Sequence, residues 1–190
     1  MHKIDVMTFE FYLQQFEDIL NHPENHPTYQ DEEYFQYTKM NWSRMGRWLK
    51  RFELSVDFQQ FIAGVSQKQQ WIIITEPWCG DAAHSVPMLV KMAAQNPNIT
   101  VDIQLRDSAP FLIDSYLTNG GKSIPILVVR DEEGRDIAVW GPRPKACQQL
   151  FLRLKEAGKD FSEIKEEIQK WYNADKGGEI QKEIQSLLGK

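Results

Sequence analysis

This sequence predicts a mixed α/β fold: a central sheet with helices on both faces, extended by more helices at each end. Three observations carry that prediction. "WIIIT", Trp71 to Thr75, is an unbroken, largely β-branched run of the kind buried on both sides of a sheet. From Trp71 onward the patterns read strand, helix, strand, helix, strand, strand, helix, the alternation of an α/β domain. On either side of that stretch, apolar residues recur at the spacing of three and four that marks a helix.

The elements follow in order. Phe9, Leu13, Phe16 and Leu20 form one face of a first helix, which "NHPENHPTY" ends with two prolines and two asparagines. A second helix, rich in aromatics (Tyr34, Tyr37, Trp42, Trp48), spans about Asp31 to Phe52, and a third starts after Ser55 as N-cap. The strand "WIIIT" leads into a helix from about Cys79 to Gln95, with Pro87 inside it as a kink. "ITVDIQL" alternates as a strand and "APFLIDSYL" reads as a short helix. "IPILVVR" and "DIAVW" form a hairpin around Asp131 to Gly134. Two parallel crossovers before that hairpin give the mixed sheet. Pro144 suits the first turn of the helix that follows. Two amphipathic helices close the chain, the first opened by an Asp160–Glu163 capping box, the second after Gly177-Gly178.

Composition narrows the function. With 27 acidic and 22 basic residues the chain carries a formal charge of −5, and its Lys and Arg are dispersed, so nucleic acid is not expected as a partner. No apolar stretch approaches the roughly 20 residues of a membrane span. The first 20 residues lack the layout of an export signal, which makes the cytoplasm the expected compartment. Two cysteines make no disulfide framework. No metal site is expected: His22 and His26 read as solvated turn residues in a proline-rich loop.

The chemistry is concentrated at "EPWCGDAAH". Cys79 lies where a strand hands over to a helix, so unpaired helix N–H groups and the helix dipole favour its thiolate. Gly80 is expected to leave the sulfur accessible and Trp78 to shield one side. Asp81, in the first helical turn, suits the dipole but opposes the thiolate charge. His84 falls off the cysteine's helix face, so no Cys–His pair is expected. Arg143, between two prolines at the start of the last core helix, is a candidate to hold a carboxylate or lower a thiol pKa, and Arg106 and Lys122 are expected near the same sheet edge. Cys147 borders an apolar helix face and reads as a small buried hydrophobe.

Trp78-Cys79-Gly80 followed by a helix, and an Ile124-Pro125 pair opening a strand about 45 residues later, together resemble the thioredoxin superfamily. The element order from Trp71 to Ala157 agrees. "WCGDA", Arg106-Asp107, "YLTNGGKSIP" and "WGPRP" look like an uncharacterised bacterial thioredoxin-like group. The resemblance implies that Cys79 is the nucleophile, that Pro125 is cis and faces it, and that Pro87 kinks the active-site helix. It divides the chain into a helical extension over 1–66, a thioredoxin-like domain over 67–158 and a helical extension over 159–190. Ala82 stands where the family's second cysteine stands, and Cys147 is expected too far from that edge to replace it. What the resemblance then implies is monothiol chemistry. Cys79 exchanges with protein or low-molecular-weight disulfides, an external thiol resolves the intermediate, no cofactor is needed beyond such a thiol as co-substrate, and Arg143 holds a substrate carboxylate. The competing reading is a redox-inactive thioredoxin-fold module that binds a protein partner. An iron–sulfur carrier ranks last, because no Gly-Phe pair follows the cysteine.

Overall fold

Four strands form one sheet in the order β2-β1-β3-β4: β1 is Gln69–Thr75, β2 Ile99–Leu105, β3 Ile126–Arg130 and β4 Asp136–Trp140. They belong to a computed structural model that describes residues 7–189; the first six residues, which open the 1–66 extension, and Lys190 lie outside the described residues. β1 is the centre, with Trp71, Ile73 and Ile74 at 0% exposure. Burying an Ile side chain contributes about 1.5–3 kcal/mol relative to leaving it in water, so this strand anchors the core.

β1 runs parallel to β2 and antiparallel to β3, and β3 runs antiparallel to β4. The expected second parallel crossover is therefore absent. β2 ends at Leu105 opposite Thr75, and β3 begins at Ile126 opposite Ile74, so the connection between them never leaves that edge of the sheet. A parallel return would have to recross the whole sheet. The segment expected as a helix forms instead a single 3₁₀ turn, Leu112–Ser115, entered through Phe111 at φ 57°.

Seven α-helices surround this sheet among the described residues: α1 Phe9–Asn21, α2 Glu32–Arg51, α3 Val56–Ala63, α4 Gly80–Ala93, α5 Lys145–Glu156, α6 Phe161–Asp175 and α7 Gly178–Leu188. The Ser55 cap and the Asp160–Glu163 capping box form as the sequence predicts, and Pro144 stands one residue before α5, as its N-cap. α2 lies along α4 and is fastened to it. The ammonium of Lys91 donates to the carbonyls of Leu49 (3.0 Å) and Phe52 (2.6 Å), which the end of α2 leaves without helical partners. The end helices are tied in the same way. Gln181 of α7 accepts from the Ser55 N–H (2.8 Å), and Glu183 of α7 accepts from Trp140 Nε1 (2.6 Å) and the Lys145 N–H (2.7 Å). Gly177, at φ 81°, joins α6 to α7 where a Cβ would press on Phe52 and Met88. No helix among the described residues is long and apolar enough to cross a membrane.

Candidate functional site

Because β1, β2 and the start of β3 share one edge, three loops meet there: Glu76–Cys79, the turn at Arg106, and the Lys122–Pro125 loop. The Ile124–Pro125 peptide is cis, as the resemblance implies, as are Ala109–Pro110 and Gly141–Pro142. Cys79 is the N-cap of α4. Its sulfur accepts from the Ala82 N–H at 3.5 Å and its S–H donates to the Ile124 carbonyl at 3.3 Å. The predicted strand–cysteine–helix junction and the predicted proline loop are thus in direct contact.

The state of the thiol differs from expectation. Cys79 is 7% exposed, and burial pushes its pKa up to about 12, with the Asp81 carboxylate pushing the same way. The Ala82 N–H and Arg143 pull it down by less. Gly80 does not open the sulfur to solvent: Tyr37 of α2 lies directly over the glycine, where a methyl group would run into the Tyr37 hydroxyl. Trp78 is held between Tyr34 (ring centroids 6.1 Å apart) and the Arg106 guanidinium (4.4 Å from the ring centroid). The Asn41 amide of α2 donates to the Pro77 carbonyl at 3.0 Å, so the N-terminal helix grips the loop at both ends.

Asp81 and Arg143 form an ion pair at 2.6 Å, with side chains 11% and 19% exposed. The carboxylate that Arg143 holds is therefore the protein's own. Tyr172 of α6 donates its hydroxyl to Asp81 at 3.0 Å, and Arg143 also donates to Gln148 at 2.9 Å and lies 4.4 Å over the Phe151 ring. Arg143 Nε is buried with no partner among the described residues. Cys147 is not remote from this group. It is fully buried in the first turn of α5, against the Tyr172 hydroxyl and within electrostatic reach of Asp81 and Arg143. Burial, then Asp81, pushes its thiol up to about 12 as well.

The remaining sequence candidates divide. Ala82 is fully buried and gives the site its backbone N–H alone. Arg106 and Lys122 do border the site, each already paired: Arg106 with Asp107 through 2.7 and 2.8 Å contacts, Lys122 with Asp114 at 2.7 Å. His84 lines the same cleft but takes its contacts from other residues, accepting from Trp48 Nε1 at 2.8 Å and stacking on Tyr172 at 4.2 Å. Burial, with Arg44 and Arg47 nearby, lowers its pKa to about 3 and keeps it neutral. His26 pairs with Asp18 at 2.9 Å. Glu76, which sequence reasoning passed over, is a buried carboxyl that accepts from the Asp107 N–H at 2.9 Å; burial raises its pKa to about 7.

Of these residues, the Trp78–Asp81 loop, His84, Arg106, Lys122 and Arg143 line a cleft of about 650 Å³, within the range of small-molecule sites. Its floor is the Trp78–Asp81 loop and its far wall the Lys122–Ile124 loop with Arg143. Its near walls come from outside the core: Tyr34, Tyr37 and Arg44 from α2, Phe161, Lys165 and Gln169 from α6. The sequence marked Tyr34 and Tyr37 only as aromatics in a helix, and nothing in it marked α6 as part of a site.

A family model described as thioredoxin matches residues 28–176. Among solved structures the chain is similar to an HIV epitope-scaffold (TM-score 0.59, 15% identity, 81% of this chain and 90% of that one). It is also similar to a protein of unknown function from Pseudomonas aeruginosa (TM-score 0.52, 17% identity, 73% of this chain and 86% of that one). At such identities the likeness concerns the fold alone. No curated protein matches the chain.

Proposed function

The chain belongs to the thioredoxin family, and from that premise we propose that it is a binding protein built on the thioredoxin scaffold, with Cys79 kept as a closed, neutral thiol. One observation carries this reading: the sulfur is buried, with Tyr37 over the neighbouring Gly80 and Asp81 close by, so that burial and charge both oppose the thiolate. Dithiol reduction needs a second thiol to release the mixed disulfide, and Ala82 supplies none. What the site does offer is a walled cleft to which both terminal extensions contribute, a concave volume with polar groups at fixed places.

Monothiol exchange is the second reading, and a specific contact favours it. Cys79 lines the cleft and touches the carbonyl before the cis-proline, where an extended substrate backbone would pair with the start of β3. In that reading the Cys79 thiolate attacks a disulfide and expels one thiolate, and an external thiol then attacks the mixed disulfide and restores Cys79.

Site-resolved alkylation of the native protein with iodoacetamide, from about pH 4 to about pH 10, separates the two. The binding reading expects the Cys79 rate to be slow and still rising at the alkaline end. A rate that levels off below the free-thiol value of about 8.5 overturns it in favour of exchange.

A further inference from the structure

We infer that the cleft is a site for a small organic anion with a flat aromatic part, held between Arg44 and Lys165; this rests on the binding reading and names the ligand class of that site. The charge balance of the cleft departs from that of the protein. Over the whole chain acids outnumber bases, 27 to 22, whereas five cations and three carboxylates line the cleft. Most of these charges are already committed. Arg143 is paired with Asp81, Arg106 with Asp107 and Lys122 with Asp114, and Asp31 caps α2 by accepting from the Tyr34 N–H. Arg44, Lys165 and, on the other side of the balance, Glu33 are left.

Arg44 and Lys165 are half-buried, and neither forms an ion pair with a carboxylate among the described residues. No acid stands three or four residues from either on its own helix: Arg44 has Met40, Asn41, Arg47 and Trp48, and Lys165 has Phe161, Ser162, Ile168 and Gln169. Both are held by the same aromatic ring. The Arg44 guanidinium lies 5.2 Å and the Lys165 ammonium 4.6 Å from the centroid of Tyr37, although one comes from α2 and the other from α6. Arg44 is further fixed by the Asn41 side-chain carbonyl at 2.9 Å, and Lys165 by the Phe161 ring at 4.6 Å. Two partly desolvated cations drawn to one ring, neither paired with a carboxylate, make a place where an anion gains more than it would in water. The surrounding rings of Tyr34, Trp78 and Phe161 give a flat apolar group something to stack on.

The test uses 8-anilinonaphthalene-1-sulfonate, an aromatic anion, against N-phenyl-1-naphthylamine, the same skeleton without the sulfonate. The sulfonate is expected to bind one per chain, more weakly as salt is raised, and about tenfold more weakly or worse in Arg44→Gln/Lys165→Gln, while the neutral amine changes by less than about twofold. Lys165→Gln alone, on the outer wall, serves if the double variant melts early, and is expected to lose about half of that effect on a logarithmic scale. The inference is overturned if the sulfonate does not bind, if the variants bind it as the parent does, or if the neutral amine binds the parent equally well. Cys79 alkylation rates taken on the same samples keep the two readings apart. An acidic thiol with intact sulfonate binding overturns the proposed function and leaves the anion site standing; an inert thiol without sulfonate binding does the reverse.

Discussion

Cys79 stands at the head of α4 on the floor of the cleft and Cys147 in the first turn of α5; the sequence predicts a reactive thiol for the first and a small buried hydrophobe for the second. Cys79 has the unpaired N–H groups, a sulfur contact to the Ala82 N–H and a place on the cleft. Cys147 has an apolar helix face and full burial. Both are nevertheless pushed to about 12, by burial first and by Asp81 second. A helix terminus offers at most a kcal/mol or two to a charge. Removing that charge from water costs several kcal/mol, and a nearby carboxylate adds to the cost. Geometry at a helix start is thus a condition for an acidic thiol and not a sufficient one.

The largest expected effect tests whether the likeness is real. In urea both thiols return to the free value near 8.5, so alkylation at about pH 8 is expected to accelerate on the order of a thousandfold at each cysteine. Either one reacting in the native protein within tenfold of its unfolded rate breaks the comparison. Asp81→Asn attacks the feature the two share. It leaves Arg143 buried without its carboxylate, and urea unfolding is expected to show a loss of about 3–5 kcal/mol. The same substitution lowers both thiol pKa values, because the charge that raised them is gone. A loss under about 1 kcal/mol would mean that this pair does not hold α4, α5 and α6 together.

pH sharpens the contrast, because each thiol has its own titratable neighbour. Glu76, whose backbone carbonyl accepts from the Cys79 N–H at 3.1 Å, is raised to about 7, so the folded state binds the extra proton and stability falls as pH rises from 4.5 through 7. His84, stacked on the ring that covers Cys147, is lowered to about 3; there the unfolded state binds the extra proton, and stability falls as pH drops from 6.5 toward 3. The two effects offset each other between pH 4.5 and 6.5, so urea midpoints are expected to be level there and to fall on either side. Glu76→Gln removes the Glu76 contribution, about 3 kcal/mol, and is expected to leave stability rising with pH across that range. The smallest effect separates the two thiols. Tyr37→Ala uncovers Gly80 and is expected to speed alkylation of Cys79 about tenfold, leaving Cys147 unchanged. Equal rates before and after would mean that Tyr37 is not the lid.

Local signals were legible in the sequence. β2 has the bounds that its alternation predicts, the Asp160–Glu163 box closes as written, and the cysteine meets the proline loop. Each of those depends on a few neighbouring residues or on one strong motif. The direction of β3 did not follow, because a short apolar stretch such as "FLIDSYL" reads equally as a helix or as one turn, and only the register of Ile126 against Ile74 decides it. Nor did the covering of Gly80, beside Cys79, by a ring 43 positions away across an α2–α4 contact. Arg143 shows the limit best. Its wish for a carboxylate was readable, and the identity of that carboxylate was a fact of packing.

Gly177 gives the cleft a property that none of its lining residues has alone. The point where α6 turns into α7 rests on Phe52 at the end of α2 and on Met88 in α4, with no room for a methyl group. The α6–α7 turn, the end of α2 and α4 thus meet at one point. α2 carries Tyr37 and Arg44 and α6 carries Lys165, so a wedge driven in at that seam would widen the aperture from both sides at once.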